Sequence, residues 1–308
     1  MSLISRPPIG TAIARVLSAV STRAPMPKRE FADLTVETSE ITVPTRHGAV
    51  ACTVHRPPNP GATPPPVYVN LHGGGFVIRF RQQDDPWCRY LATHAGAVVV
   101  NVDYGTAPKH PFPVAAEQAF DVVRWAAEPD RDWDGTRLVV GGQSAGGNLT
   151  AAAARQALEA GGPAIALQVL HYPVLDLRTS PRDKPRPEGK GSVPDWLAEV
   201  FDTSYARDPA VAGHRLVSPA WGSNAEGIEG IAPALVVTAE RDSLGAEGAA
   251  YARSLAAAGA LVEHREVPDA GHGYDVQAEN PQLTRELYAW ITEHVRRATA
   301  RDVDQHEG

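Results

Sequence analysis

The 308-residue sequence is poor in sulfur, with two cysteines and two methionines, and only 6% of it is aromatic. Cys52 and Cys88 are too few for a disulfide framework. Neither sits in a C-x-x-C pair or beside a histidine cluster, which excludes a cysteine-based zinc site. Two reduced, buried thiols are the expectation, and with them a cytoplasmic location. There is no H-E-x-x-H and no i, i+4 histidine pair beside a carboxylate, so no metal is expected. The paired acids Asp84-Asp85 lack partners at ligand spacing and read as a loop or a helix start. Long apolar runs are missing too, and nothing approaches the ~20 residues that span a bilayer. Ile9 to Val20 is apolar, but Arg15 interrupts it and Pro7-Pro8 precede it. It reads as an amphipathic helix of the mature protein and not as an export signal. Basic runs are also lacking. Twenty-nine Lys and Arg against 36 Asp and Glu leave 29 − 36 = −7, the wrong sign for a nucleic-acid partner.

Proline and glycine are abundant instead, 27 of each, and much of that excess punctuates regular segments. Six prolines between Pro57 and Pro66 feed the apolar run Val67 to Leu71. Short apolar runs then alternate with helix-like stretches. Strands are expected at 97–102, 138–141, 165–170, 234–237 and 261–267, and helices at 114–127, 145–160, 247–258 and 281–297. Two further strands, 35–43 and 49–55, precede them. This rhythm predicts an α/β fold with a mostly parallel central sheet, covered by helices on both faces. Two segments break the rhythm. Residues 1–40 read as helical, and 177–222 are proline- and charge-rich with an amphipathic piece at 195–205. Such an interruption is too long for a plain connection. The expected division is therefore N-terminal cap helices at 1–40, a cap insertion at 177–222, and a catalytic core from 41–176 and 223–308.

Gly142-Gln143-Ser144-Ala145-Gly146 fits G-x-S-x-G, follows an apolar strand and opens a helix, the setting of a nucleophile elbow. The alternative is a tight glycine turn whose serine caps the helix. His72-Gly73-Gly74-Gly75-Phe76 follows the Val67 to Leu71 strand. Three glycines there bring backbone N–H groups close to a ligand, as an oxyanion hole requires. The phosphate-cradle patterns that rival it are absent. His72 itself reads as a structural hydrogen-bonder of this loop. A serine nucleophile needs a base and an orienting carboxylate downstream, on loops that follow strands. His272, between Gly271 and Gly273, is the choice among the downstream histidines. His214 falls in the cap segment, His264 in a strand, His294 in a helix and His306 in a charged tail. Asp242 is the preferred acid, with Glu240 as its competitor. A histidine base of ordinary pKa implies a rate that rises through roughly pH 6–7.

Together these motifs resemble the hormone-sensitive-lipase-like bacterial carboxylesterases of the α/β-hydrolase superfamily. The resemblance runs through His72-Gly-Gly-Gly-Phe76, Val102-Asp-Tyr104, Ala107-Pro108, His110-Pro-Phe-Pro113, Ser144-Ala-Gly-Gly-Asn148 and Tyr172 to Asp176. It continues in Ser218-Pro219, Asp242-Ser243-Leu244, Glu247-Gly248 and Gly271-His272-Gly273. It implies a hydrolase of short-to-medium-chain esters with Ser144, Asp242 and His272 as triad. It also implies oxyanion donors from the N–H groups of Gly74, Gly75 and Ala145, a helical cap over the acyl pocket, and no cofactor. The partner is then a small-molecule ester, and the protein a monomer or homodimer. A serine amidase or acyltransferase on the same triad is the alternative. A non-catalytic ligand binder is the other, and such proteins tend to lose the histidine that His272 supplies here. The sequence departs from the family at Gln143, where an aspartate is usual, and at Gly105-Thr106, Lys109 and Gly245-Ala246, each of which removes a customary charge.

Overall fold

A computed structural model describes residues 7–21, 31–187, 193–277 and 280–301. Its centre is one eight-stranded sheet in the order β1-β2-β4-β3-β5-β6-β7-β8. These strands are β1 (Glu37–Val43), β2 (Val50–Arg56), β3 (Pro66–Leu71), β4 (Val98–Val102), β5 (Asp134–Gln143), β6 (Leu167–His171), β7 (Ala234–Ala239) and β8 (Leu261–Val267). β1 pairs antiparallel with β2, and β2 antiparallel with β4; every other neighbouring pair is parallel. Every residue of β3, β4 and β7 is buried, because helices cover both faces. The near-unbroken Val and Leu of those strands is the sequence form of that burial. At the edges β1 and β8 are largely solvent-facing, and their Glu, Thr and Arg residues follow from that.

The helices are α1 (Pro7–Ser21), α2 (Asp85–His94), α3 (Val114–Ala126), α4 (Ala145–Ala160), α5 (Asp195–Tyr205), α6 (Gly245–Ala257) and α7 (Pro281–Ala298). α4 runs through the interior with Ala151 to Ala154 all buried, and its small side chains let it lie close to β3 and β5. It ends on Gly161 in the left-handed conformation, φ 71°. α7 begins with Pro281, and the Asn280 side chain accepts from the Leu283 N–H; it then buries Leu287, Tyr288, Ile291 and Val295.

The α/β class and the parallel core are as expected, with element ends shifted by a few residues. One helix, α2, has no counterpart in the sequence expectation, which took Asp84-Asp85 for a loop or helix start. Asp85 does begin α2, where it binds His55 at 3.1 Å and Arg89 at 2.7 Å. Burial pushes the Asp84 carboxyl up to about 8. Of the expected helical stretch 1–40, α1 covers 7–21 and a turn covers 31–33; residues 1–6 and 22–30 lie outside the described residues, as do His306 and 188–192 of the 177–222 segment. α1 packs on α5, the helix of that segment. Among the described residues no helix is long and apolar enough to cross a membrane.

Chain order reverses at β3, with β4 on one side and β5 on the other. Ligands of open α/β sheets bind at such a switch point, beyond the carboxyl ends of the strands. The glycine loop follows β3 and Ser144 follows β5, so both candidate motifs open onto that crevice.

Candidate active site

Ser144 sits on the turn between β5 and α4 with φ 54° and ψ −113°, a conformation that a non-glycine residue adopts only when its surroundings enforce it. Its N–H donates to the His171 carbonyl at 2.9 Å, and its own carbonyl accepts from the Val174 and Asn148 N–H groups, each at 3.2 Å. The glycines of the motif make the turn possible. A Cβ on Gly142 or Gly146 would collide with the Leu71 carbonyl oxygen, so helix and strand can approach this closely only without one.

Three loops converge on the serine. His272, beyond β8, places Nε2 2.8 Å from Ser144 Oγ, and its Nδ1 lies 2.6 Å from Asp242 Oδ2. Asp242, beyond β7, is 3% exposed, and its Oδ1 accepts from the Leu244 N–H at 3.1 Å. Glu240 turns elsewhere: it accepts from the Asp269 N–H at 2.7 Å and so braces the histidine loop. Burial opposes charge on the imidazole. Asp242 against Nδ1, with Asp275 and Glu247 further off, outweighs it and raises the His272 pKa above the ordinary imidazole value.

Facing the serine is the loop after β3. A Cβ on Gly73 would lie 3.3 Å from the Gln143 carbonyl and 3.7 Å from Ser144 Cβ. Gly74 and Gly75 take φ 113° and 59°, and a Cβ on Gly75 would run into the Phe201 ring of α5. The Gly74 carbonyl accepts from the Val77 and Ile78 N–H groups, which closes the turn. Among the described residues the N–H groups of Gly74, Gly75 and Ala145 donate to nothing, so they remain available to a ligand. His72 is fully buried, stacked on Tyr104 with ring centroids 4.2 Å apart, and its Nδ1 donates to the Gly73 carbonyl at 2.7 Å. Burial drops its pKa to about 4, which keeps it neutral.

The resulting cleft has a volume of about 280 Å³ and is lined by Ser144, His272 and the three glycines together with Leu197, Ala198 and Phe201 of α5. No described side chain of α1 reaches it. Three contacts around the cleft are not marked by the sequence. Phe201 packs against the glycine loop. Lys184, in the 177–222 segment, pairs with Glu247 of α6 at 2.6 Å beside the cleft. Gln143 donates to Asp275 at 2.9 Å. All three are long-range contacts that no local pattern marks. Among the described residues no cluster of three His, Cys, Asp or Glu could hold a metal, and Cys52 and Cys88 are both free and buried.

The model of the α/β-hydrolase-fold family matches residues 68–276, and this chain belongs to that family. It is 37% identical over 253 residues to the carboxylic ester hydrolase LipN of Mycobacterium tuberculosis, an alignment that covers 78% of this chain and 64% of that protein. It is 36% identical over 242 residues to the ethyl acetate hydrolase of Pseudomonas putida, covering 77% and 75%. Among solved structures it resembles the hyperthermophilic esterase from the archaeon Pyrobaculum calidifontis, with a TM-score of 0.75 at 31% identity over 97% of this chain and 93% of that one. The chain spans about two thirds of the length of the first curated relatives, 64% of LipN and 66% of the carboxylesterase NlhH of M. tuberculosis.

Proposed function

We propose that this protein is a serine carboxylesterase acting on short-to-medium-chain acyl esters through an acyl-enzyme. The observation that carries the reading is the unbroken relay Asp242 Oδ2–His272 Nδ1 and His272 Nε2–Ser144 Oγ, at 2.6 and 2.8 Å, opposite backbone N–H groups that have no other partner. Ser144 Oγ attacks the ester carbonyl while neutral His272 takes its proton at Nε2; Asp242 holds the ring with Nδ1–H toward it and stabilises the imidazolium. The carbonyl oxygen becomes an alkoxide in front of Gly74, Gly75 and Ala145, whose N–H dipoles favour that charge. As the intermediate collapses, the C–O bond to the alcohol breaks and His272 returns the proton to the leaving oxygen. Water then attacks the acyl-enzyme with His272 as base again, releasing the acid and restoring Ser144.

The relatives named for ester hydrolysis support the reaction class, and the cleft supports the chain length. About 280 Å³ lies just below the usual ~300–1,000 Å³ of ligand pockets, and Leu197, Ala198 and Phe201 of α5 line it together with the serine. We assign 177–222 with α1 as the cap on this basis, α1 serving to support α5. No cofactor takes part in this scheme. The two free thiols favour a reducing, cytoplasmic compartment, and the protein works as a monomer or homodimer on a small-molecule ester. A panel of p-nitrophenyl esters from acetate to palmitate, with an anilide added, tests the proposal. Each buried methylene adds up to ~0.8 kcal/mol, so kcat/KM should climb with chain length to a short-to-medium optimum and then fall. A flat panel, or an anilide turned over faster than every ester, would reject it.

A further inference from the structure

Asp275 lies three residues beyond His272, and its carboxyl group is completely shielded from solvent. It makes no ion pair with lysine or arginine among the described residues. Three neutral donors surround it instead. Oδ1 accepts from the Tyr172 hydroxyl at 2.5 Å, and Oδ2 accepts from the Tyr288 hydroxyl and from Gln143 Nε2, each at 2.9 Å. The donors come from three parts of the fold: the end of β5 just before the nucleophile, the residue after β6, and α7. Gln143 Oε1 has no partner. Turning that amide over would set its oxygen against the carboxylate, so Asp275 dictates which way Gln143 points. Tyr172 also stands edge-on to the His272 ring, with centroids 5.0 Å apart.

From this arrangement we propose that Asp275 is a positioning residue for the catalytic base. Its carboxyl group ties the His272 loop to the nucleophile strand and to α7, and holds an acidic group close to the imidazole. The proposal rests on the reading of Ser144 and His272 as nucleophile and base. A carboxylate held by three donors and buried in low dielectric acts at longer range than a solvated one. The groups facing His272 are the acids Asp242, Asp275 and Glu247, with His171 and the Tyr172 ring beside them, and Asp275 follows Asp242 among the charges that raise its pKa. Those facing Asp275 itself are Tyr172, Tyr274, Tyr288, His171, with Nδ1 at 4.0 Å, and the buried Asp84. Burial lowers the pKa of His171, which favours its neutral form.

Asp275→Asn keeps the shape and removes the charge, and Gln143→Glu with Asp275→Asn exchanges the donor and acceptor across the same contact. With p-nitrophenyl acetate followed by pH-stat, the single variant should move the acid limb of kcat/KM down by about half a pH unit or more. It should also lower kcat by about tenfold with KM within about twofold, because proton transfer and not binding is impaired. The exchanged pair should bring the limb back towards the wild-type position. If Asp275→Asn fails to fold, the exchanged pair decides alone: a wild-type limb supports the proposal. A folded single variant with an unmoved limb, or an exchanged pair whose limb stays displaced downward, would overturn it. Neither result bears on whether Ser144 hydrolyses esters, which the wild-type rate and Ser144→Ala report separately.

Discussion

At the scale of single residues, Ser144, His272 and Asp242 form one chain of hydrogen bonds, so removing one link idles the others. Ser144→Ala and His272→Ala should each lower kcat by roughly 10⁴ or more, and the double variant should lose little beyond that. Steady-state kinetics on a short-chain p-nitrophenyl ester will read this; a Ser144→Ala enzyme that keeps more than a few per cent of the rate contradicts the nucleophile. As the proposed base, His272 should also set the pH dependence. Its three acidic neighbours hold the proton on the imidazole, so the base is lost at a higher pH than an isolated histidine would lose it. The activity limb should therefore stand above about 6.5, higher than the ordinary-pKa expectation centred there, and should level off in mild alkali. The same shift has a stability sign. Pairing with Asp242 stabilises the fold fully below the unfolded imidazole pKa, and that contribution fades as pH rises through the raised folded value. Proton-linked chemical shifts of the His272 ring will show whether the pKa is raised or ordinary. The three residues were legible in the sequence because each stands among glycines or directly after an apolar strand. Asp275 and Lys184 were not, since their partners lie 132 and 63 residues away, at Gln143 and Glu247; Phe201 was legible as an apolar side chain of the cap segment, but its contact with Gly75, 126 residues away, was not.

At the scale of elements, the glycine loop and α5 are built against each other. Gly75→Ala should lower kcat by about 10² or more, because its Cβ collides with the Phe201 ring and displaces an N–H proposed to face the developing oxyanion. Adding Phe201→Ala to that variant relieves the collision and should recover part of the rate. Phe201→Ala alone should instead shift the ester optimum to longer chains, by the space the ring gives up. α1 acts at one remove, since it packs on α5 and not on the cleft. A folded variant lacking residues 1–25 should keep the triad chemistry and broaden the chain-length profile; an unaltered profile would separate α1 from substrate selection. Most elements announced themselves through apolar runs and glycine or proline boundaries. α2 did not, because its buried face is only Trp87, Cys88, Leu91 and Ala92, too short a repeat to stand out beside the preceding charged stretch.

At the scale of the whole molecule, the parallel pairing of β3 to β8 brings the loops after β3, β5, β7 and β8 to one end of the sheet, where the reversal of strand order at β3 opens a crevice. That is why motifs spread over 200 residues of sequence share one cleft. The order of the strands was not legible from the sequence, where periodicity reports burial but not neighbours. The parallel class was, from the alternation of apolar runs and helices. The central claim is that Ser144 forms a covalent acyl-enzyme in this cleft, and the most direct measurement is active-site trapping with a p-nitrophenyl alkylphosphonate. One equivalent of p-nitrophenol should be released per chain as activity disappears, and peptide mass spectrometry should find the phosphonyl group on Ser144, with none in Ser144→Ala. Phosphonylation of any other residue as activity is lost, or ester hydrolysis that survives full treatment, would contradict the account.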